Sequence, residues 1–198
     1  MVTSRPPLPA PAMAPLTTAR LELRPYRPSD AATFFQLLDE NRQRLQPAFP
    51  TRVAAVQTLA DAQQVLYGFT ADWRSGHLYV FGIWEQATAC YIGDISLKPN
   101  GGTKVTAEIS YYLDAGAEGK GYAREAVRGA LAFGFETMRA DRLLIRCRAN
   151  NPRSCAVAES VGFQLLPPRH RAWTMRPLRT DVIQYFLFKR EDMPASLA

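Results

Sequence analysis

Alternating apolar and polar side chains predict a β-strand near the start of the chain. In the stretch 19–26, Leu21 and Leu23 lie on one face of an extended backbone, as in a half-buried strand. Three further strand-like runs, separated by turn-like stretches, follow at 78–85, 90–98 and 106–113. Because short connections join these three runs, they predict an antiparallel meander.

Apolar residues at helical spacing predict four helices. The first begins near Ser29, a good N-cap residue, and carries Phe34, Leu37 and Leu38 on one side. The other three are predicted over about 53–74, 121–138 and 152–161. Strand-like runs at 143–149, 163–166 and 182–189 complete the order β-α-α-β-β-β-α-β-α-β-β. This order predicts a mixed sheet covered by helices, in which the third helix is a crossover between two strands.

The composition is that of a chain that folds as one globular domain. Of its 198 residues, 47% are hydrophobic and 21% are charged, and a chain of this length can bury most of its apolar surface in one core. Lys and Arg outnumber Asp and Glu by 24 to 18, and the resulting net charge of +6 suits anionic partners or cofactors. We therefore expect a single domain over 16–198.

The segment 1–15 predicts a disordered, Pro-rich leader. Its prolines at positions 6, 7, 9, 11 and 15 prevent the helix that a signal peptide needs. No stretch of the sequence approaches the roughly 20 apolar residues of a membrane span. We expect a cytoplasmic protein without a membrane partner.

Three cysteines, Cys90, Cys147 and Cys155, show neither C-x-x-C spacing nor a neighbouring cluster of histidines, so no metal site is expected. They cannot all pair internally, and a reducing compartment is the simplest explanation. Cys155 shares a predicted helix stripe with Ala158, which favours a small buried apolar side chain over a nucleophile.

The stretch 118–126, EGKGYAREA, places two glycines immediately before the third predicted helix. The first turn of a helix has N–H groups without intrahelical partners and a partial positive charge, so it stabilises an anion. Gly119 and Gly121 would let an anion approach these N–H groups, while Lys120 and Arg124 add positive charge. Taken alone, the pattern fits both a phosphate-binding loop and a tight loop that merely leads into the helix.

Further motifs stand in order around this loop. A strand with E-I-x-Y-Y-L precedes E-x-x-G-x-A, and a later N-x-x-S begins a short helix that ends in V-G-F. In this order the chain resembles the GNAT acyltransferase superfamily, and specifically the Rim-type ribosomal-protein N-terminal acetyltransferases. The opening T-T-A-R-L-E-L-R-P-Y, the N-R-x-x-L-x-P segment and the strand with Tyr185 also resemble that branch. The likeness covers roughly residues 16–190.

The resemblance implies a GNAT fold of the mixed α/β class. Its centre would be a mixed, mostly antiparallel sheet of about seven strands, flanked by helices and splayed between the fourth and fifth predicted strands, 106–113 and 143–149. Acetyl-CoA would be the cosubstrate, and no metal would take part.

The resemblance also implies the residues that bind the cofactor. Main-chain amides of the loop would hold the pyrophosphate, through Gly119, Lys120, Gly121, Tyr122, Ala123 and Arg124. Backbone groups of Tyr111, Tyr112 and Leu113 would bind the pantetheine arm, which Asn151 would also contact. Glu118 stands where the family usually has Gln or Arg, so we expect no direct contact from its side chain. Asn151 is also a good N-cap before Pro152, whatever the function.

The catalytic roles implied by the resemblance fall on three residues. Ser154 would lie near the thioester sulfur and protonate the leaving thiolate, and a backbone amide would stabilise the oxyanion. Glu108 would be the base that takes a proton from the attacking amine, with Tyr112 as the reserve candidate. The competing interpretations are an exposed serine in a first helical turn and a solvated strand glutamate.

The acceptor is predicted less directly. The segment 164–180 carries four arginines and no acid, which suits an acidic peptide or nucleic acid but equally a solvated basic loop, at Arg169, Arg171, Arg176 and Arg179 around Trp173. The Rim-type likeness favours direct attack, in a ternary complex, by a protein N-terminal α-amine, ribosomal or otherwise acidic. The alternatives are a small amine such as a polyamine or antibiotic, or a non-catalytic CoA- or RNA-binding module. A nucleic-acid partner is not expected, and the chain would be a monomer or homodimer.

Overall fold

An eight-stranded sheet runs through the described part of the chain. The computed structural model describes residues 11–100, 105–167 and 183–192. Its strands are β1 (Leu16–Thr17), β2 (Leu21–Arg24), β3 (Tyr79–Glu85), β4 (Cys90–Asn100), β5 (Thr106–Leu113), β6 (Arg142–Arg148), β7 (Gln164–Leu165) and β8 (Ile183–Lys189). The strand order is β1-β2-β3-β4-β5-β6-β8-β7, and every neighbouring pair is antiparallel except β5 and β6. The predicted mixed, mostly antiparallel sheet is confirmed, with a two-residue strand, β1, that is too short to leave an alternating pattern.

Helices flank this sheet. They are α1 (Ala31–Glu40), α2 (Arg42–Leu45), α3 (Pro50–Ala55), α4 (Leu59–Ser75), α5 (Tyr122–Ala132) and α6 (Pro152–Val161). Helix α5 continues as a turn of π-helix over Phe133–Thr137, and short 3₁₀ turns lie at Pro28–Asp30, Ala115–Ala117 and Arg190–Asp192. As predicted, the third long helix crosses over between two parallel strands, β5 and β6.

The predicted helix over 53–74 is wrong in one respect, because it is two helices separated at Val56–Thr58. Thr58 caps α4: its hydroxyl accepts a hydrogen bond from the Asp61 N–H at 3.2 Å, and the Asp61 carboxylate accepts one from the Thr58 N–H at 2.9 Å. This reciprocal capping box starts a new helix where apolar periodicity alone continues the old one.

Two hydrophobic clusters cover the two faces of the sheet. The buried stripe of α5, including Ala126 and Val127, packs in one cluster with Ile109 of β5. The other cluster joins Phe34 of α1 to Tyr112 of β5. Successive side chains of a strand point to opposite faces, so odd-numbered residues of β5 face α5 and even-numbered residues face α1 and α4.

The β5–β6 ladder is short. It pairs residues 106–109 with 142–145 and ends at the Ile109–Ile145 pair, although β5 continues to Leu113 and β6 to Arg148. The two strands therefore part beyond Ile109, where the splay was predicted. We call this opening the split; it is bordered by Ser110–Leu113 on β5 and Arg146–Arg148 on β6.

Several predictions fall wholly or partly outside the described residues. The predicted disordered leader, 1–15, stays a prediction; within its described part, the Pro11 carbonyl accepts a hydrogen bond from the Trp73 indole at 2.8 Å. Most of the basic segment 164–180 lies outside the described residues, including all four of its arginines and Trp173.

Candidate active site

The loop between β5 and α5 has the backbone conformation that its two glycines predict. Gly119 and Gly121 have φ angles of +77° and +80°, in the left-handed region that glycine adopts without strain. Gly121 is the N-cap of α5 and has no side chain with which to cap the first helical turn. The helix therefore presents free N–H groups and its positive dipole end to an exposed loop, an arrangement that binds anions. We call Gly119–Arg124 the cradle.

The side chains of the cradle divide between solvent and core. Lys120 and Arg124 are exposed, and Ala123 is half-buried. The Tyr122 ring is 7% exposed, and its hydroxyl donates a hydrogen bond to Glu85, so this side chain is turned away from the loop surface. Only the backbone of Tyr122 remains to contact a ligand.

Arg20, which sequence reasoning did not single out, binds the cradle although it lies about 100 positions earlier in the chain. The Arg20 guanidinium donates to the Lys120 carbonyl at 3.0 Å and lies 4.6 Å from the centre of the Tyr122 ring. It also forms a salt bridge of 2.8 Å with Glu125, which accepts a further hydrogen bond of 2.6 Å from the Thr18 hydroxyl. These bonds fix the first turn of α5 against the start of β2.

Glu118 lies between two arginines. Its carboxylate forms salt bridges with Arg44 of α2, at 2.5 Å, and with Arg153 of α6. The Arg153 side chain is 83% exposed, so this bridge contributes little to stability. The carboxylate thus places two cations beside the cradle, a function that sequence reasoning missed.

Buried Asn41 joins the helical layer to the cradle loop. Its side-chain amide donates to Asp114 at 2.8 Å, and its side-chain carbonyl accepts from the Ala115 N–H at 3.1 Å. Arg44 adds hydrogen bonds to the Asn41 side-chain carbonyl and to the Leu113 backbone carbonyl. The N-R-x-x-L-x-P segment, 41–47, therefore helps to hold the cradle loop in place. Arg44 also occupies the Leu113 carbonyl, one backbone acceptor of the strand predicted to bind pantetheine.

Tyr111, Asn151 and Ser154 meet beside the split. The Tyr111 hydroxyl lies 3.2 Å from the Ser154 hydroxyl, and the Asn151 side chain caps α6 by accepting from the Ser154 N–H at 3.2 Å. Burial raises the pKa of Tyr111 to about 12, so its phenol stays protonated and can donate to Ser154. Ser154 is half-buried.

Glu108 lies on the opposite face of the sheet from Ser154. It belongs to the paired part of β5, and its carboxylate forms a 2.9 Å salt bridge with Arg146 of β6. Its side chain is 18% exposed. The structure therefore places Glu108 at the closed end of the split and does not bring it into contact with Ser154 or Tyr112.

Tyr112 belongs to a buried polar cluster rather than to the split surface. Its ring is 4% exposed and faces α1, and Asp94 of β4 is its partner in the antiparallel ladder. The hydroxyl lies near Tyr91 and Asp94, but within the described residues it makes no hydrogen bond of normal geometry. Burial raises its pKa well above the ordinary value, which keeps the phenol protonated and removes Tyr112 as a base near neutral pH.

The charged pair in this cluster is Arg52 of α3 and Asp94, whose side chains are 16% and 2% exposed. The Tyr26 hydroxyl lies 2.7 Å from the Tyr91 hydroxyl and 3.4 Å from the Asp94 carboxylate. Burial raises the pKa of Asp94, and the Arg52 guanidinium opposes that rise. Each charge is therefore compensated mainly by the other.

Arg52→Met is expected to lower the free energy of unfolding by about 3–5 kcal/mol, because it leaves the Asp94 carboxylate buried without its cation. Adding Asp94→Asn should recover part of this loss, since the double variant buries no unpaired charge. Urea unfolding of the wild type, both single variants and the double variant gives the coupling. Strictly additive losses in the two single variants would contradict the coupling between Arg52 and Asp94. As a control, Lys189→Met breaks the exposed bridge to Glu191 and should lower the free energy of unfolding by less than about 1 kcal/mol.

The described ranges carry neither a metal-binding cluster nor a membrane-spanning helix. Residues 11–100, 105–167 and 183–192 contain no group of three or more His, Cys, Asp and Glu side chains that could hold a metal ion. In the same ranges, none of the helices has the length and apolar character needed to cross a bilayer.

Residues 20–164, well over half of the chain, match the family model for an acetyltransferase (GNAT) domain. The ribosomal-protein-serine acetyltransferase of Escherichia coli K12 is 28% identical over 145 residues, which are 73% of this chain and 79% of that protein.

Solved structures that share the fold include RimL and MccE. RimL, a ribosomal L7/L12 α-N-protein acetyltransferase solved with coenzyme A in a disulfide with one of its cysteines, superposes with a TM-score of 0.76 at 22% identity, over 91% of this chain and all of that one. The microcin C7 self-immunity acetyltransferase MccE, solved with acetyl-CoA and AMP, superposes with a TM-score of 0.73 at 19% identity, over 86% and 93% of the two chains. The family model spans both the start of α5, at Gly121, and the parallel β5–β6 pair that parts beyond Ile109. The chain therefore belongs to the GNAT acetyltransferases.

Proposed function

We propose that this GNAT N-acetyltransferase moves the acetyl group of acetyl-CoA to the α-amine of a protein N-terminus, by direct attack in a ternary complex. The observation that carries the proposal is the position of the split, which leads from the uncapped head of α5 to the Ile109–Ile145 pair and passes Ser154 on the way. The relative in Escherichia coli and the structural neighbour RimL are both named for ribosomal-protein acetylation, which supports this class of acceptor.

The residues around the split fit an extended thioester with a diphosphate at one end. The positive φ angles of the cradle leave its N–H groups open, and a Cβ built on Gly119 would meet no atom of the described residues within 4 Å. Lys120, Arg124 and the two arginines that Glu118 holds would offset the negative charge of the phosphates. Beyond the Ile109–Ile145 pair, β5 and β6 no longer pair with each other, and a strand edge can offer backbone groups to the pantetheine amides.

Proton transfer is assigned to residues on both faces of the sheet. Ser154 donates a proton to the departing thiolate, and the Tyr111 hydroxyl at 3.2 Å orients and replenishes it. Glu108, on the other face, takes a proton from the incoming ammonium, directly or through water, and the neutral amine then attacks the thioester. The buried, protonated Tyr112 favours Glu108 over Tyr112 for this role.

The acceptor is tested by acetyl-CoA turnover on a matched panel. Peptides that begin with Ser, Ala or Met are compared with the same peptides carrying a blocked N-terminus and an internal lysine, and with a polyamine and an aminoglycoside. We expect acetylation of free α-amines, with at least a tenfold preference in kcat/KM over the blocked peptides, located by fragment mass. Turnover confined to the small amines would overturn the acceptor assignment but keep the enzyme, whereas binding of acetyl-CoA without any transfer would contradict catalysis.

A further inference from the structure

Two free thiols lie in contact beside the split. The Sγ atoms of Cys147 on β6 and Cys155 on α6 are 3.2 Å apart, although the residues are eight positions apart in sequence. Cys147 is 6% exposed, whereas Cys155 is half-buried and donates to the Gln184 side-chain carbonyl at 3.2 Å. The third cysteine, Cys90, is exposed on β4. Cys155 packs against the hydrophobic core, in keeping with the predicted small apolar side chain, and its thiol also donates a hydrogen bond.

This thiol pair lies next to the groups assigned to the thioester sulfur. The four β5–β6 pairs join residues 36 positions apart, and the same offset, continued past the Ile109–Ile145 pair, sets Cys147 across the split from Tyr111. Cys155 directly follows Ser154, whose hydroxyl lies 3.2 Å from the Tyr111 hydroxyl. A small molecule with a sulfur atom in the split would thus meet the two thiols and the Ser154 hydroxyl together.

We propose that Cys147 and Cys155 form a modification site that reacts with small-molecule disulfides and closes to an internal disulfide. One protein thiolate attacks the external disulfide, whose S–S bond breaks; a mixed disulfide forms and one small thiol leaves. The second protein thiolate then attacks the mixed disulfide at the protein sulfur and releases the second small thiol. Two protein thiols are oxidised, one external disulfide is reduced to two thiols, and the two protons lost by the cysteines pass through solvent to the leaving thiolates.

The internal disulfide would change the position of Ser154. Drawing the two sulfurs from contact to bonding distance moves Cys155, and with it the first turn of α6 against β6. Small displacements of a proton donor cost large factors in rate. We expect oxidation to lower kcat at least fivefold; this effect on turnover rests on the proposed function, whereas the disulfide does not.

The covalent step is tested in full-length Cys90→Ser protein, which retains only the two thiols of interest. The protein is incubated with coenzyme A disulfide, denatured in acid and alkylated, and the mass of the intact chain is measured by mass spectrometry. We expect a product lighter than the reduced chain by two hydrogens that takes up no alkylating agent, and a linked peptide pair that contains Cys147 and Cys155. Two alkylated thiols, or a mixed disulfide that persists while both cysteines are present, would overturn the proposal.

Variants that lack one or both thiols provide the controls. Cys147→Ser and Cys155→Ser, each in the Cys90→Ser background, should stop at the mixed disulfide and never lose the two hydrogens. The Cys147→Ser/Cys155→Ser variant should keep its own untreated turnover rate after the same exposure. Loss of turnover in Cys90→Ser protein that dithiothreitol reverses supports the effect on Ser154, and an oxidised protein with full turnover would overturn it. Absence of acetyl transfer before any oxidation would count against the proposed function alone.

Discussion

Gly121→Asp is expected to raise the KM for acetyl-CoA at least tenfold. The residue caps α5 at φ +80°, so the new carboxylate would stand beside the free N–H groups of the first turn and compete with the phosphates for them. A tenfold change corresponds to about 1.4 kcal/mol, which one misplaced charge at a helix end can supply. Steady-state kinetics with varied acetyl-CoA, together with the Kd for coenzyme A from calorimetry, measure the effect.

Gly121→Asn is the matched control for this substitution. Asparagine has the shape of aspartate and tolerates the left-handed region better than other side chains, but carries no charge. Among the described residues, a Cβ at this position would meet the Arg20 guanidinium alone, at 3.5 Å. We therefore expect Gly121→Asn to raise KM by no more than about threefold. Equal effects of the two variants would mean that bulk or strain, and not charge, disturbs the site, and an unchanged KM in both would remove the diphosphate from the cradle.

Ser154→Ala is expected to lower kcat about a hundredfold while the KM for acetyl-CoA changes by less than about twofold. General acid catalysis typically contributes a factor of 10² to 10⁴, and a thiolate is a good leaving group, so the low end applies. The substitution should spare binding, because the helix cap uses the Ser154 backbone N–H and not its hydroxyl.

Ser160→Ala, in the same helix, serves as the comparison. Its exposed hydroxyl donates to the Val157 carbonyl of the same helix, at 2.8 Å, so its removal should leave kcat unchanged. Rapid-quench measurement of the first turnover separates the chemical step from product release. A Ser154→Ala enzyme with the wild-type rate of chemistry would assign protonation of the thiolate to another group.

Local patterns in the sequence predicted the elements that hold the site. Strand β5 spans Thr106–Leu113 and helix α6 spans Pro152–Val161, as predicted, because an alternating pattern and an Asn-Pro helix start are both local signals. The predicted anion-binding loop has the positive φ angles that its glycines allow. Helix α4 was misjudged because its beginning depends on a hydrogen-bonded exchange between Thr58 and Asp61, which apolar periodicity does not record.

Contacts between distant parts of the chain could not be predicted from one sequence. Arg20 reaches Glu125 across 105 positions, and Arg44 reaches Glu118 across 74. The burial of the Tyr112 side chain, which argues against its reserve role as base, depends on how α1 and α3 pack over β5. These features depend on tertiary packing. The sequence shows which residue types are present but not which of them come into contact.

The conformation of the cradle depends on hydrogen bonds from Arg20 and Asn41, which lie outside the glycine motif. Residues 118–126 supply the open amides, but the N-terminal third of the chain sets where those amides point. A peptide or chimaera that carries the glycine motif and its helix alone would keep the recognition sequence and lose the preorganisation. Grafting cofactor affinity onto another scaffold would therefore require transplanting three separate stretches of chain together.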